Sequence, residues 1–301
     1  MELAFRNLTL DDKKIFDKYS PHLHEPYGCE YCFPLIFIET IYDKTQICDV
    51  GDMAFIRTEW SGRRIFFPPL LKDTALLPLA IDIIEQACIH EGKPIEIRMV
   101  PEAMGKLINT EKYLVTENRS LADYIYKAED LIHLAGKAFH SKRNFITRFH
   151  KEYSNHEFRE YDEATDRGNI MKLLEKWETN TTHEKWATEN KLIERALLFY
   201  RELDLKIAVL YVGVTLVAFS VNYIGNSDTA YTFFEKADTD YVGVYQTINQ
   251  HTAEMFFTNT RLVNRQCDMN VEGLRKAKLS YHPFAILNKY KVQHKPDCDT
   301  N

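Results

Sequence analysis

The stretch Leu134-Ala-Gly-Lys-Ala-Phe-His-Ser-Lys-Arg-Asn-Phe-Ile-Thr-Arg-Phe-His-Lys-Glu-Tyr153 sets a basic helical ridge in the middle of an acidic chain. Phe139, Phe145, Ile146 and Phe149 recur at helical spacing and form an apolar stripe, while Lys137, Lys142, Arg143, Arg148 and Lys151 occupy the other sides. A helix of this kind buries one face and offers the other to a phosphate or carboxylate. The plainer reading is a solvated surface helix.

The same succession of elements lies on either side of the ridge. Before it, the pattern predicts a strand over 5–10, an acidic N-cap at Asp11-Asp12 and a helix to Tyr19. A hairpin follows, from alternating runs over 47–60 and 64–68 around Ser61-Gly62. Next come a helix over 76–90, a strand over 94–100, a short helix from Pro101 and strands over 113–115 and 124–127. After the ridge, a strand over 156–161 leads to helices over 163–178 and 191–202 and a hairpin of 205–212 with 216–223 around Gly213. A strand over 230–236, a helix over 245–258 and a strand over 262–267 complete the set. The expected fold is α/β (α+β): two tandem domains, each a mixed, mostly antiparallel sheet flanked by helices, joined by the basic helix. The expected divisions are 1–129, the joint 130–153, a second domain 154–295 that carries the site, and a tail 296–301. Duplication is inferred from the order of elements, since no residue-by-residue repeat is visible.

Bulk composition narrows the class. With 301 residues, 45% hydrophobic and 27% charged, the chain has the makeup of a globular protein of one large or two smaller domains. No window holds the roughly 18 uncharged apolar residues of a membrane span, and the first residues lack a secretion signal, so a cytoplasmic location is expected. A net charge of -6 argues against general coating of nucleic acid but allows a local basic groove. The six cysteines are too scattered for a disulfide scaffold. Cys29 and Cys32 have metal-ligand spacing, with His22 and His24 upstream. No second ligand pair completes a zinc site, Tyr31, Phe33 and Pro34 suggest a packed turn, and no metal is expected.

Two long motifs resemble one bacterial family. Gly136-Lys137, Lys142-Arg143-Asn144 and Phe149 look like the signature of the family named after the C-terminal domain of phosphatidylglycerol lysyltransferase. Asp268-Met-Asn270-Val-Glu272-Gly-Leu-Arg275-Lys276-Ala-Lys278-Leu-Ser-Tyr281-His-Pro283 resembles that family's closing motif. The likeness extends from about Leu10 to Val292 as a likeness of organisation. It implies two acetyltransferase-like (GNAT) folds, an aminoacyl-tRNA ester as donor and a lipid head group as acceptor.

Chemistry is expected in the second half. In acetyltransferases a glycine-rich loop cradles the coenzyme A pyrophosphate at a helix start, and here the loop 237–244 holds only Gly243, with Asp238 and Asp240 set to repel it. A plain helix-opening turn is the other reading. In the closing motif, Asp268 or Glu272 would hold an α-ammonium or accept a proton, and Arg275 or Lys278 would stabilise an oxyanion. A network of structural ion pairs explains the same residues. Lys137, Lys142, Arg143, Asn144, Asn270, Lys276, Tyr245 and Gly243 are the candidate substrate contacts. Trp177, Trp186 and Tyr245 line a pocket or pack the core, and His183 sits in a polar loop. The Gly-x-Ser-x-Gly elbow, the phosphate-binding P-loop and the His-Glu-x-x-His pair are absent from the sequence, so hydrolase, nucleotidase and metalloprotease readings fall away. The leading expectation is an acyl or aminoacyl transferase acting on a hydroxyl or amine of a lipid head group or peptide. An acetyl-coenzyme A-dependent N-acetyltransferase and a non-catalytic binding module are the alternatives.

Overall fold

The computed structural model describes residues 3–23, 27–41, 44–60, 62–180, 184–225 and 228–295. His24 and His183, singled out above, lie outside the described residues, as does the side chain of Trp186. The chain forms two compact units, one of residues 1–123, 267–272 and 286–301, the other of 124–266 and 273–285.

In the first unit the sheet runs β1 (Arg6–Asn7), β2 (Gln46–Val50), β3 (Met53–Trp60), β4 (Arg63–Phe66), β6 (Glu96–Pro101), β15 (Lys289–His294) and β7 (Tyr113–Glu117). A short β5 (Leu70–Leu71) pairs with β3, and β4 with β6 is the parallel pair. Helices α1 (Lys13–Tyr19), α2 (Phe33–Glu39), α3 (Leu77–His90) and α4 (Glu102–Gly105) flank it. The alternating run over 47–60 is two strands rather than one, because Gly51 at φ 61° turns the chain between β2 and β3. The packed turn expected at Cys29–Cys32 is a short 3-10 turn leading into α2, whose residues Phe33 to Ile38 are all buried.

The site at Cys29 is organised by a lysine. Lys289, Glu30 and Asp123 have fully buried side chains, with the Lys289 ammonium bonded to Glu30 and 3.5 Å from Asp123. Asp123 also accepts from the Cys29 amide at 2.9 Å and its thiol at 3.2 Å. The cation among these groups is thus an ammonium. Burial pushes the Glu30 carboxyl up to about 7, against the pull of Lys289.

The second sheet runs β14 (Ala285–Leu287), β8 (Asp123–Lys127), β13 (Leu262–Asn264), β12 (Thr229–Ala237), β11 (Thr215–Ile224), β10 (Leu205–Val212) and β9 (His156–Glu160). Its helices are α5 (Ala128–His133), α6 (His140–Glu152), α7 (Glu163–Asn180), α8 (Glu184–Leu198), α9 (Val244–Phe256) and α10 (Glu272–Leu279). The ridge is not one helix from Leu134. Leu134 at φ 45° and Gly136 at φ 79° end α5 and turn the chain, and α6 begins at His140. Phe139, Ile146 and Phe149 are buried as the stripe predicts, but Phe145 is 43% exposed. The second helix after β9 also starts earlier than expected, at Glu184.

Both units share a corner that the sequence hides. In the first, Arg6 grips the buried Asp12 with its two terminal guanidinium nitrogens at 2.8 and 2.5 Å, and the Thr9 amide donates to the same carboxylate at 2.8 Å. In the second, Arg159 grips the buried Asp166 at 2.6 and 2.7 Å, and the Asp162 amide donates at 2.8 Å. Each corner joins an outer strand to the next helix. Burial pushes these carboxyls up, but the arginine and backbone donors outweigh it and hold both below the usual carboxylate range.

Helix α9 begins at Gly243, φ 84°, under the backbone of α6. A Cβ built on Gly243 would overlap the Phe145 carbonyl, lying 2.9 Å from its carbon and 3.2 Å from Phe149 Cβ. Only glycine allows both the conformation and this approach.

Three outcomes test this description. Lys289→Met leaves Glu30 and Asp123 buried without their cation and lowers stability by about 3–5 kcal/mol in urea unfolding. Gly243→Ala lowers it by about 1–3 kcal/mol, from a left-handed alanine and the clash with Phe145. Because Asp12 and Asp166 titrate lower folded than unfolded, their contribution is present above the unfolded value of about 3.9 and disappears as pH falls through the folded ones. The urea midpoint of Asp166→Asn therefore falls less steeply than wild type between about pH 4 and about pH 2.

Candidate functional site

Parallel strands β12 and β13 pair only from Thr229 to Tyr231 against Leu262 to Asn264. Beyond that, β12 stays with β11 up to Ala237, whereas β13 ends. The Asn264 side chain accepts from the Gln266 amide at 2.7 Å, and Gln266 turns the chain at φ 56°. The strands part towards their C-terminal ends, where open α/β sheets place ligand crevices.

Side chains bridge the opening. Gln266 donates its amide to the carbonyls of Thr232 and Phe233, each at 3.2 Å. Arg265 pairs with Glu235 at 3.0 Å, with side chains 12% and 10% exposed. The second Glu235 oxygen accepts from Asn249 Nδ2 on α9 at 3.0 Å. Asn249 is buried, and its Oδ1 has no hydrogen-bond partner among the described residues. An unmatched buried acceptor is costly by about 1–3 kcal/mol unless a ligand donor meets it.

Aromatic rings close over the pair. The Arg265 guanidinium lies 5.2 Å from the Tyr281 ring centre and 5.8 Å from that of Tyr126. Burial pushes the phenols of Tyr126, Tyr281 and Tyr245 up, so they remain neutral donors at neutral pH.

The two sequence motifs meet here, within the second unit. Lys142 of α6 donates to Ser280 Oγ at 2.6 Å and lies 4.2 Å from the Tyr281 ring centre. Phe139 meets His282 edge to face at 5.4 Å. Burial lowers the Lys142 pKa, and the Arg265 charge lowers it further. Lys278 is also buried and donates to the carbonyls of Arg265 at 2.5 Å and Gln266 at 3.0 Å, clamping the strand end that carries Arg265.

Other residues of the motifs serve different places. Arg143 donates to the carbonyls of Leu134 and Gly136, closing the turn before α6. Asn144 is exposed beside His140, and Arg148 pairs with Glu152 at 2.6 Å. Lys137 and Lys151 are exposed. Asp268 belongs to the first unit, where it is buried 3.5 Å from Arg119 and accepts the Asn270 amide at 2.9 Å. Asn270 and Glu272 are exposed on that same segment, whereas Arg275 and Lys276, half-buried and exposed, lie on the part of α10 in the second unit.

The loop 237–244 departs from a pyrophosphate cradle in a way the sequence did not reveal. Asp238 and Asp240 do not stand as bare charges, since Lys176 of α7 bonds both at 2.6 Å. Trp177 from the same helix donates to the Ala237 carbonyl at 2.9 Å and packs against Lys236. The helix start at Gly243 is met by the Phe145 carbonyl, an acceptor where a phosphate would need room.

Elsewhere, a pocket of about 30 Å³ in the first unit is lined by Leu23, Pro69, Leu71, Leu77 and Met104 without carboxylate, lysine or arginine. That is room for a water molecule rather than a substrate.

Glu235, Arg265 and Asn249 were missed in the sequence. Their signal was a charged or amide side chain inside otherwise apolar runs, Tyr231–Lys236 above all.

Comparison with known proteins bears on the family and the fold. Residues 23–293 match the family described as phosphatidylglycerol lysyltransferase, C-terminal. A conserved protein of unknown function from Bacteroides thetaiotaomicron VPI-5482 has a similar structure, with TM-score 0.89 and 27% identity over 98% of this chain and 100% of that one. L-PGS from Bacillus licheniformis matches at TM-score 0.67 and 13% identity over 94% and 91% of the two chains. A tandem GNAT protein from the clavulanic acid biosynthesis pathway matches at 0.53 and 9% over 98% and 99%. At those identities the last two show the fold alone. An uncharacterized protein of Mycoplasmoides gallisepticum is 27% identical over 178 residues, 58% of this chain, and the match spans 57% of that protein's length. With two sheets built as tandem GNAT-like domains and a family match across most of its length, the chain belongs to the phosphatidylglycerol lysyltransferase C-terminal family.

Proposed function

We propose that the chain transfers an aminoacyl group from aminoacyl-tRNA to a hydroxyl or amine acceptor, in the opening between β12 and β13. The observation that carries this reading is the pair of acceptors there: the Glu235 carboxylate and the unmatched Asn249 Oδ1. Both suit the α-ammonium that distinguishes an aminoacyl ester from an acetyl thioester. Lys142, buried against the Tyr281 ring, donates to the oxyanion formed when the ester carbonyl is attacked. Lys278 positions Arg265 through the strand carbonyls. Direct attack by the acceptor needs no covalent enzyme intermediate, and orientation supplies much of the acceleration.

The filled space before Gly243 weighs against acetyl-coenzyme A as donor. A lipid head group carrying a hydroxyl is the acceptor that family membership favours. No helix among the described residues is long and apolar enough to cross a membrane.

The test is to incubate the protein with charged total tRNA and, separately, with acetyl-coenzyme A, with and without anionic lipid vesicles, and to follow the activated ester. Acceptor-dependent loss of aminoacyl-tRNA alone is expected. Asn249→Ala and Lys142→Met each reduce that rate by about 100-fold or more while the far-ultraviolet spectrum stays native. Turnover of acetyl-coenzyme A alone would overturn the donor assignment, and full activity of both variants would overturn the site.

A further inference from the structure

Three imidazoles from separate elements of the second unit lie side by side. His150 lies on α6, His156 opens β9, and His251 lies on α9. One ring nitrogen from each lies within 4.8 Å of the others. The His150 ring stacks on His156 at 4.6 Å and faces His251 edge to edge in nearly the same plane, with centroids 5.3 Å and Nε2 atoms 3.1 Å apart. All three are half-buried, among the rings of Phe149 and Phe158.

We propose that His150, His156 and His251 bind a divalent transition-metal ion of the zinc class. Nitrogens bound about 2.0 Å from one tetrahedral ion stand about 3.3 Å apart, close to the spacing of this pair. The outer nitrogens fit as well. His156 Nδ1 faces the Tyr153 carbonyl at 2.7 Å, and His251 Nδ1 faces the Glu254 carboxylate at 3.0 Å. Each Nδ1–H is a donor to that oxygen, which leaves the Nε2 lone pair for a metal, the usual orientation of ligating histidines. Imidazole donors select zinc, copper, nickel or iron over calcium and magnesium, and three nitrogens leave a fourth position for water or a small ligand. In the metal-free chain a His150 Nε2–H donates to His251 instead. A bound ion would tie α6 to β9 and α9, fastening the helix that carries Lys142.

The experiment uses the intact chain after chelation and dialysis, titrated with Zn2+ by calorimetry and thermal unfolding, and with Co2+ by visible absorption. Expected are one ion per chain, a Tm that climbs with the logarithm of free metal, and a tetrahedral cobalt spectrum. The double variant His150→Gln, His251→Gln loses all three signals, while His133→Gln, an exposed histidine on α5, keeps them. Glu254→Gln keeps every imidazole and weakens binding about 10–100-fold. Equal binding by wild type and a folded double variant overturns the proposal, as does absence of binding by wild type. If the double variant fails to fold, unchanged affinity in Glu254→Gln overturns it.

Discussion

Two parallel strands that stop pairing after three residue pairs leave a gap that the backbone cannot close, and most of what is distinctive in the second unit follows from how β12 and β13 meet this constraint. Carbonyls exposed by the parting need donors, and Gln266 and Lys278 supply them from side chains. The guanidinium of Arg265 then needs a counter-charge, which Glu235 provides, and aromatic faces shelter both. A buried pair of this kind adds little net stability compared with apolar packing. What it provides is a polar, preorganised interior next to a backbone that has already been opened. Asn249 extends the arrangement by one further acceptor.

The order of elements was legible because hydrophobic period and turn residues announce it, as the hairpin around Gly213 and the apolar stripe through Phe139, Ile146 and Phe149 demonstrate. The two motifs were legible as a pair, and they do touch, through Lys142, Ser280 and Tyr281. Their charges were less so. A sequence displays a lysine or arginine without its partner, and Arg143, Lys278 and Arg148 each turn to a carbonyl or carboxylate of the chain itself. Helix α2 escaped notice for another reason: six consecutive buried residues have no period, so a buried helix cannot be told from a buried strand. Strand divergence at Gln266 depends on a left-handed non-glycine residue, which no local pattern marks.

The repeated corner is one local device used in both units, where residue identity shows no repeat. Arg6 with Asp12 and Arg159 with Asp166 solve the same problem, a helix start beside an outer strand whose first amides lack partners. A buried aspartate satisfies an amide, and the strand's arginine makes its charge tolerable.

The last strand has a consequence for how such a chain is made. β15 lies between β6 and β7 in the first sheet, although the whole second unit separates it from β7 in the sequence, and it delivers the Lys289 ammonium to Glu30 and Asp123. During synthesis the first sheet therefore keeps a slot vacant between β6 and β7, with Glu30 and Asp123 lacking their cation, until the second unit has emerged. Order of emergence and order of completion are reversed, and fragments ending after β7 would expose open sheet edges to chaperones and proteases.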